Sequence, residues 1–261
     1  MSLPPEDLER MSLLDHLEEL RSRLVWALLT VAIAFAPCWY FVDRIFDFLQ
    51  QPILAELEPG QRLVYTGIAD PLFLYIKVAA LAAVFLSAPF LLFQVWRFVA
   101  PGLYRREKLF VLPFLIFGTL FFVGGGAFAY YIAFPKAVDF LLGMAAQFQP
   151  MIEVDRYFGF LMTIILGMGL MFELPILVVA LSAMGVVTPR FLLRNFRWAV
   201  LIVFTVSAII TPTPDILNLS LFAVPALVLY LLGIGVAWFV SPRQRAEEAD
   251  ESTPTGYTPA P

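Results

Sequence analysis

The sequence predicts an all-α membrane protein of six transmembrane helices in a curved bundle, on three observations. The chain is 61% hydrophobic and only 15% charged, with a mean hydropathy of +0.83, whereas soluble domains carry about 25% charged residues. Six charge-poor apolar segments are spaced along it, and a helix rising 1.5 Å per residue needs roughly 20 residues to cross about 30 Å of hydrocarbon. Lys and Arg fall unevenly between these segments. With the N-terminus taken as cytoplasmic, twelve lie in inside stretches and four (Arg44, Arg62, Lys136 and Arg156) in outside loops, which leaves Lys77 within a span. That asymmetry puts both termini in the cytoplasm.

Residues 1–23 are polar and read as an amphipathic helix lying on the membrane surface, with Leu13, Leu14, Leu17, Leu20 and Leu24 at three- and four-residue spacing. Ser12 is a candidate cap, with Asp15 three positions on. The first apolar segment runs from Leu24 to Val42 with Pro37 inside, and the second from about Leu72 to Trp96 with Pro89 inside. The third runs from Leu109 to Pro135, with Pro113 near its start and Gly124-Gly125-Gly126 midway. The fourth runs from Tyr157 to about Val187 around Glu173-Leu-Pro175, the fifth from Trp198 to Ile210, and the sixth from Ile216 to Val240 with Pro225 inside. Extended back to Phe196, the fifth still reaches only roughly 22 Å, short for a span. Proline in five of the six predicts bent helices, whose released backbone groups neighbours can satisfy. Loops 42–71 and 135–156 are the long outside connections, and the first, with Pro52, Pro59-Gly60 and Asp70-Pro71, reads as folded irregular structure. Residues 24–240 thus form the membrane domain, and 241–261, rich in Pro, Thr, Ala and acids, reads as a disordered tail.

Composition also narrows function. It points away from nucleic acid. The single Cys38 excludes an intramolecular disulfide, and with one histidine, His16, no metal centre or cofactor site is apparent. The first 20 residues carry six acids ahead of the first apolar run, unlike a cleavable signal peptide. There is no phosphate-binding loop or nucleophile–base pair, so the chain does not read as an enzyme.

The charged positions carry what specificity there is. The stretch Ser87–Glu107 begins apolar and ends in a cluster of charge, with Trp96, Phe98 and Tyr104 at the changeover and Glu107 the only acid among Arg97, Arg105, Arg106 and Lys108. Glu107 is either locally paired or presented to an arriving cation. Glu18 and Glu19, beside Arg21, form either a solvated helix face or, with Glu107, a site for paired guanidinium groups, each held by two parallel hydrogen bonds. Glu173 is either a functional acid at mid-membrane or a protonated one bonded to a carbonyl freed by Pro175. Asp215 reads as the cap of the sixth helix, and Lys77 as a side chain snorkelling to the outer interface.

Eight stretches carry a resemblance: His16-Leu-Glu-Glu-Leu-Arg-Ser-Arg23, Ser87-Ala-Pro89, Gln94-Val-Trp-Arg-Phe98, Ala100-Pro101-Gly-Leu-Tyr104, Arg106-Glu107, Phe134-Pro135, Phe172-Glu-Leu-Pro175 and Thr211-Pro-Thr-Pro-Asp215. Their order and placement make the set specific, although no single one is. Over residues 10 to 240 the chain resembles the TatC family, the multispanning receptor subunit of the twin-arginine protein translocase. The resemblance implies a glove-like six-helix bundle with two short final helices. It also implies binding of twin-arginine signal peptides of folded cargo at the cytoplasmic face, and export driven by the proton-motive force. It makes Glu19 and Glu107 the signal-binding acids, with Arg21 and Phe98 beside them, and Glu173 the buried acid of the concave face. It makes Pro52 and Asp215 outside positions needed for assembly or transport, and Thr211 and Asn218 candidates for docking single-span TatA or TatB subunits. Self-association and a place in the bacterial or archaeal cytoplasmic membrane are implied as well. Two rival readings remain: a proton-coupled carrier of a small solute using Glu173, and a non-transporting membrane scaffold.

Overall fold

The computed structural model describes residues 13–56, 63–99, 111–144, 151–211 and 215–240. These form helices α1 (Leu13–Tyr40), α2 (Val42–Glu56), α3 (Asp70–Val99), α4 (Val111–Phe128), a π-helical turn (Ala129–Ala133), α5 (Phe134–Met144), α6 (Val154–Phe172), α7 (Leu174–Ala183), α8 (Pro189–Arg194), α9 (Phe196–Ile210) and α10 (Ile216–Val240). Among the described residues, five stretches are long and apolar enough to cross a membrane, and α9 is a shorter apolar helix. The short final pair is therefore half realised, since α9 has 15 residues and α10 has 25. The tail after Val240 and the expected cap Ser12 lie outside the described residues.

Three boundaries differ from expectation. The N-terminal helix is present from Leu13 but runs without a break into the first span, as one helix of 28 residues. Its leucines fall on the same rotation as the apolar run that follows, so nothing ends the helix at Leu24. The loop after the first span is not irregular over 42–56 but is α2. Val42, Ile45, Phe46, Leu49 and Ile53 repeat at three- and four-residue intervals, and Val42, Leu49 and Ile53 are buried. The third span does not stop at Pro135. The helical path continues through the π-helical turn and α5 to Met144 over 33 residues, with Pro135 in the first turn of α5, where its missing N–H costs little.

Packing is pairwise. α1 lies along α3, α4 along α6, and α7 along α10. Glycine permits the closest of these approaches. A β-carbon on Gly125 would lie 2.6 Å from the Met168 carbonyl oxygen on α6, and one on Gly233 would lie 2.7 Å from Pro175 Cα on α7. The main core gathers residues of α1 to α6 with parts of α9 and α10, around Phe134, Phe158, Leu161 and Phe222. A smaller core holds Val178, Tyr230, Ile234 and Ala237, where α7 and α10 meet α8 and the start of α9.

The end of the bundle that holds α2 is tied together by polar contacts. Val64 N–H donates to the Ile152 carbonyl at 3.0 Å and Val154 N–H to the Val64 carbonyl at 2.8 Å, which joins the two long loops as a single parallel bridge. Thr66 donates to Glu153 at 2.8 Å. Lys77 does not stand alone at the interface but donates to Asp155 Oδ1 at 2.5 Å, linking the starts of α3 and α6. A partner 78 residues away is invisible to local sequence reading.

Candidate functional site

At the opposite end, a cavity of about 610 Å³ opens between the start of α1 and the end of α3. Glu18, Glu19, Ser22, Arg23 and Trp26 line it from α1, and Phe90, Phe93, Gln94 and Arg97 from α3. Each set recurs at three- and four-residue spacing, so each is one helical face turned toward the other. Glu19 is partly buried and accepts a hydrogen bond from Arg23 Nη2 at 2.7 Å. Arg23 Nε is buried without a partner among the described residues, so the pair meets end-on rather than through two parallel bonds. The Arg97 guanidinium lies 6.0 Å from the centroid of the Phe93 ring, within reach of a cation–π attraction. The cavity thus offers two carboxylates and three aromatic side chains to an entering cation, with two resident guanidinium groups as competitors.

Of the residues expected here, Glu19 is in the wall. Arg21 is exposed and Phe98 half-buried, and neither lines the cavity. Glu107, with Arg105, Arg106 and Lys108, lies outside the described residues. Sequence reading quoted Gln94 within a motif but gave it no role, and gave none to Phe93 and Phe90 either. Their shared face with Arg97 was the available signal.

Glu173 stands apart from this cavity, at the junction of α6 and α7. Proline at 175 cannot donate to the Met171 carbonyl, and the backbone N–H of Glu173 turns to Leu170 and Met171 instead. The carboxylate lies over Gly118 of α4, where an added β-carbon would sit 3.5 Å from Oε2 and 3.1 Å from Leu92 Cδ1. Its Oε1 is buried with no hydrogen-bond partner among the described residues. Beside it, an apolar cavity of about 380 Å³ is walled by Trp96 of α3, Phe114, Phe117 and Phe121 of α4, Pro175 and Val179 of α7, and Leu232 of α10.

A family described as Sec-independent protein translocase protein (TatC) matches residues 15–225. The chain belongs to the TatC family. A relative from Koribacter versatilis, a Sec-independent protein translocase protein TatC, is 46% identical over 257 residues, covering 95% of each chain. One from Desulforapulum autotrophicum with the same description is 40% identical over 87% of this chain and 84% of its own. A crystal structure of the twin-arginine translocase receptor TatC superposes with a TM-score of 0.75 at 34% identity, covering 86% of this chain and 99% of the other. A second, of the receptor in the detergent DDM, gives 0.76 at 35%, covering 85% and 99%.

The remaining positions that the TatC resemblance singled out lie at the α2 end. Pro52 is within α2 and cannot donate to the carbonyl of Phe48, four residues back. Tyr130 of the π-helical turn donates its hydroxyl to that carbonyl at 2.5 Å, and the Phe48 and Tyr130 rings stack at 4.5 Å. Pro52 thereby creates the acceptor through which α2 is fastened to the third span. Asp215 caps α10 as expected: Asn218 N–H donates to its Oδ1 at 2.7 Å and Asn218 Nδ2 to its Oδ2 at 2.9 Å. Asn218 and Thr211 are both buried, and the Thr211 hydroxyl donates to the Ser207 carbonyl. Among the described residues, no group of three or more His, Cys, Asp or Glu is placed to hold a metal.

Proposed function

We propose that this chain is the receptor subunit of a twin-arginine translocase and binds the paired arginines of a signal peptide in the cavity between α1 and α3. The observation that carries this reading is Glu19, held end-on by one nitrogen of Arg23 in a half-buried cavity with aromatic walls. An entering guanidinium can replace that single contact with two parallel ones. Glu18 adds a second carboxylate, and the TatC resemblance assigns Glu107 to the same function, with Arg21 and Phe98 as its neighbours. The cavity faces the cytoplasm, as do both termini. The apolar part of the signal then follows α3 past Trp96 into the apolar cavity beside Glu173.

Family membership speaks against both rivals, the small-solute carrier and the passive scaffold. The partners are single-span TatA and TatB subunits, signal-bearing folded cargo and further copies of the chain. Thr211 and Asn218, being buried, serve docking by fixing the end of α9 and the start of α10 rather than by touching a partner, and Asp215 serves it as the cap of α10.

The test is binding of arginine-paired and lysine-paired signal peptides to the detergent-solubilised chain and to its Glu19→Gln variant. A preference for arginine that Glu19→Gln abolishes is the expected result. The expected loss is about 1.5–3 kcal/mol for each charged hydrogen bond removed. Equal binding of the two peptides by the unaltered chain would overturn the reading.

A further inference from the structure

One wall residue of the α1–α3 cavity is chemically incomplete. Gln94 is 7% exposed, lies on the face of α3 that lines the cavity, and its Oε1 is buried with no hydrogen-bond partner among the described residues. A buried amide oxygen left unpaired is costly, and such groups in folded proteins normally have a donor. The guanidinium groups nearby do not supply one: Arg23 is turned to Glu19 and Arg97 lies toward Phe93. An acceptor in a binding cavity that the protein itself leaves unmet is matched to a donor brought by the ligand.

We propose that Gln94 is a specificity-determining residue of this site, its Oε1 accepting an N–H from the signal-peptide guanidinium whose charge Glu19 takes. This rests on the cavity being the arginine site. A guanidinium is planar and carries five N–H donors in a fixed fork, so it presents one edge to a carboxylate and keeps donors for a second acceptor at its side. An ammonium carries its three donors on a single nitrogen and meets both acceptors only where both lie within hydrogen-bond reach of that one atom, so on this proposal lysine bound to Glu19 leaves Gln94 unpaired. Rejection of a ligand that strands a buried polar group is the strongest form of discrimination available to such a site. Glu19 attracts either cation and favours the guanidinium through its two parallel bonds, and Gln94 widens that difference by accepting a further N–H.

The experiment measures binding of fluorescent Arg-Arg and Lys-Lys signal peptides to the full-length chain in detergent, for the wild type, Gln94→Leu and Gln94→Glu, with thermal melting of each alongside. Gln94→Leu keeps much of the side-chain volume without the acceptor. It is expected to weaken Arg-Arg binding about tenfold and leave Lys-Lys binding unchanged. Gln94→Glu restores an acceptor and is expected to keep the preference for arginine with a steeper salt dependence. The proposal is overturned if Gln94→Leu leaves both affinities unchanged, as when water alone meets Oε1, or lowers both equally. It is also overturned if a folded Gln94→Glu loses the preference, a result that stands even where Gln94→Leu does not fold. A wild type with no preference for arginine removes the cavity reading as well. A wild type with the preference, retained undiminished in Gln94→Leu, removes the role of Gln94 alone.

Discussion

Glu173 has a carboxylate oxygen buried without a partner, and such a group lowers stability by roughly 1–3 kcal/mol relative to a satisfied or apolar one. Glu173→Leu is therefore expected to raise the thermal midpoint of the purified chain while lowering export of a twin-arginine substrate in cells. A fall in both would assign the acid a structural role. Tyr130 and Pro52 allow a cleaner experiment, because one residue creates the acceptor that the other uses. Tyr130→Phe should cost about 1–2 kcal/mol, since it strands the Phe48 carbonyl. In a Pro52→Ala background the alanine N–H can meet that carbonyl within α2, so the same change should cost less. Urea titrations of the four proteins give the coupling directly, and additivity would refute it.

At the scale of helices, the run Gly124-Gly125-Gly126 separates two effects of the same substitution. A β-carbon on Gly125 would collide with the backbone of α6, whereas one on Gly124 would meet nothing within 4 Å. Gly125→Ala should destabilise the α4–α6 pair by about 1–3 kcal/mol. Gly124→Ala should be neutral or stabilise by up to about 1 kcal/mol through helix propensity. Thermal melts of the two variants should move apart, and equal shifts would mean that α4 and α6 are not held this closely.

How legible each element was follows from the range of the forces that made it. The apolar runs of the spans are local and long, and the order α1, α3, α4, α6, α9, α10 could be read from them alone. α2 was hidden because Pro52 and its neighbouring polar residues look like loop, although Val42, Ile45, Phe46, Leu49 and Ile53 carry the stripe of a helix. The helix beyond Phe134-Pro135 was hidden for the same reason. Glu19 could be picked out because a carboxylate beside a span is conspicuous. Gln94 could not, because its significance lies in the absence of a partner, and partners across α1 and α3 are tertiary facts. The Lys77–Asp155 pair belongs to the same class.

Taken whole, the molecule does not present an even thickness to the bilayer. α9 spans roughly 22 Å, against about 30 Å for ordinary hydrocarbon, beside the longer α10. Mismatch of this kind is relieved by local thinning or by association with neighbours. Labelled copies reconstituted in long-chain phosphatidylcholine should show higher energy transfer between molecules than in short-chain lipid at the same protein density. Transfer that does not respond to lipid length would locate self-association away from α9.

The break at Glu173 also apportions the fourth span between two cores. Above it α6 belongs to the large cluster around Phe158 and Leu161, and below it α7 belongs to a cluster of four buried residues shared with α10. Elements with few buried neighbours open at lower free energy than the body they adjoin. Under native-state amide exchange, α7 and the last turns of α10 should therefore lose their protons together and sooner than α6, although α6 and α7 are consecutive in one membrane crossing. The crossing would register as two cooperative units joined in series, with the acid at the seam.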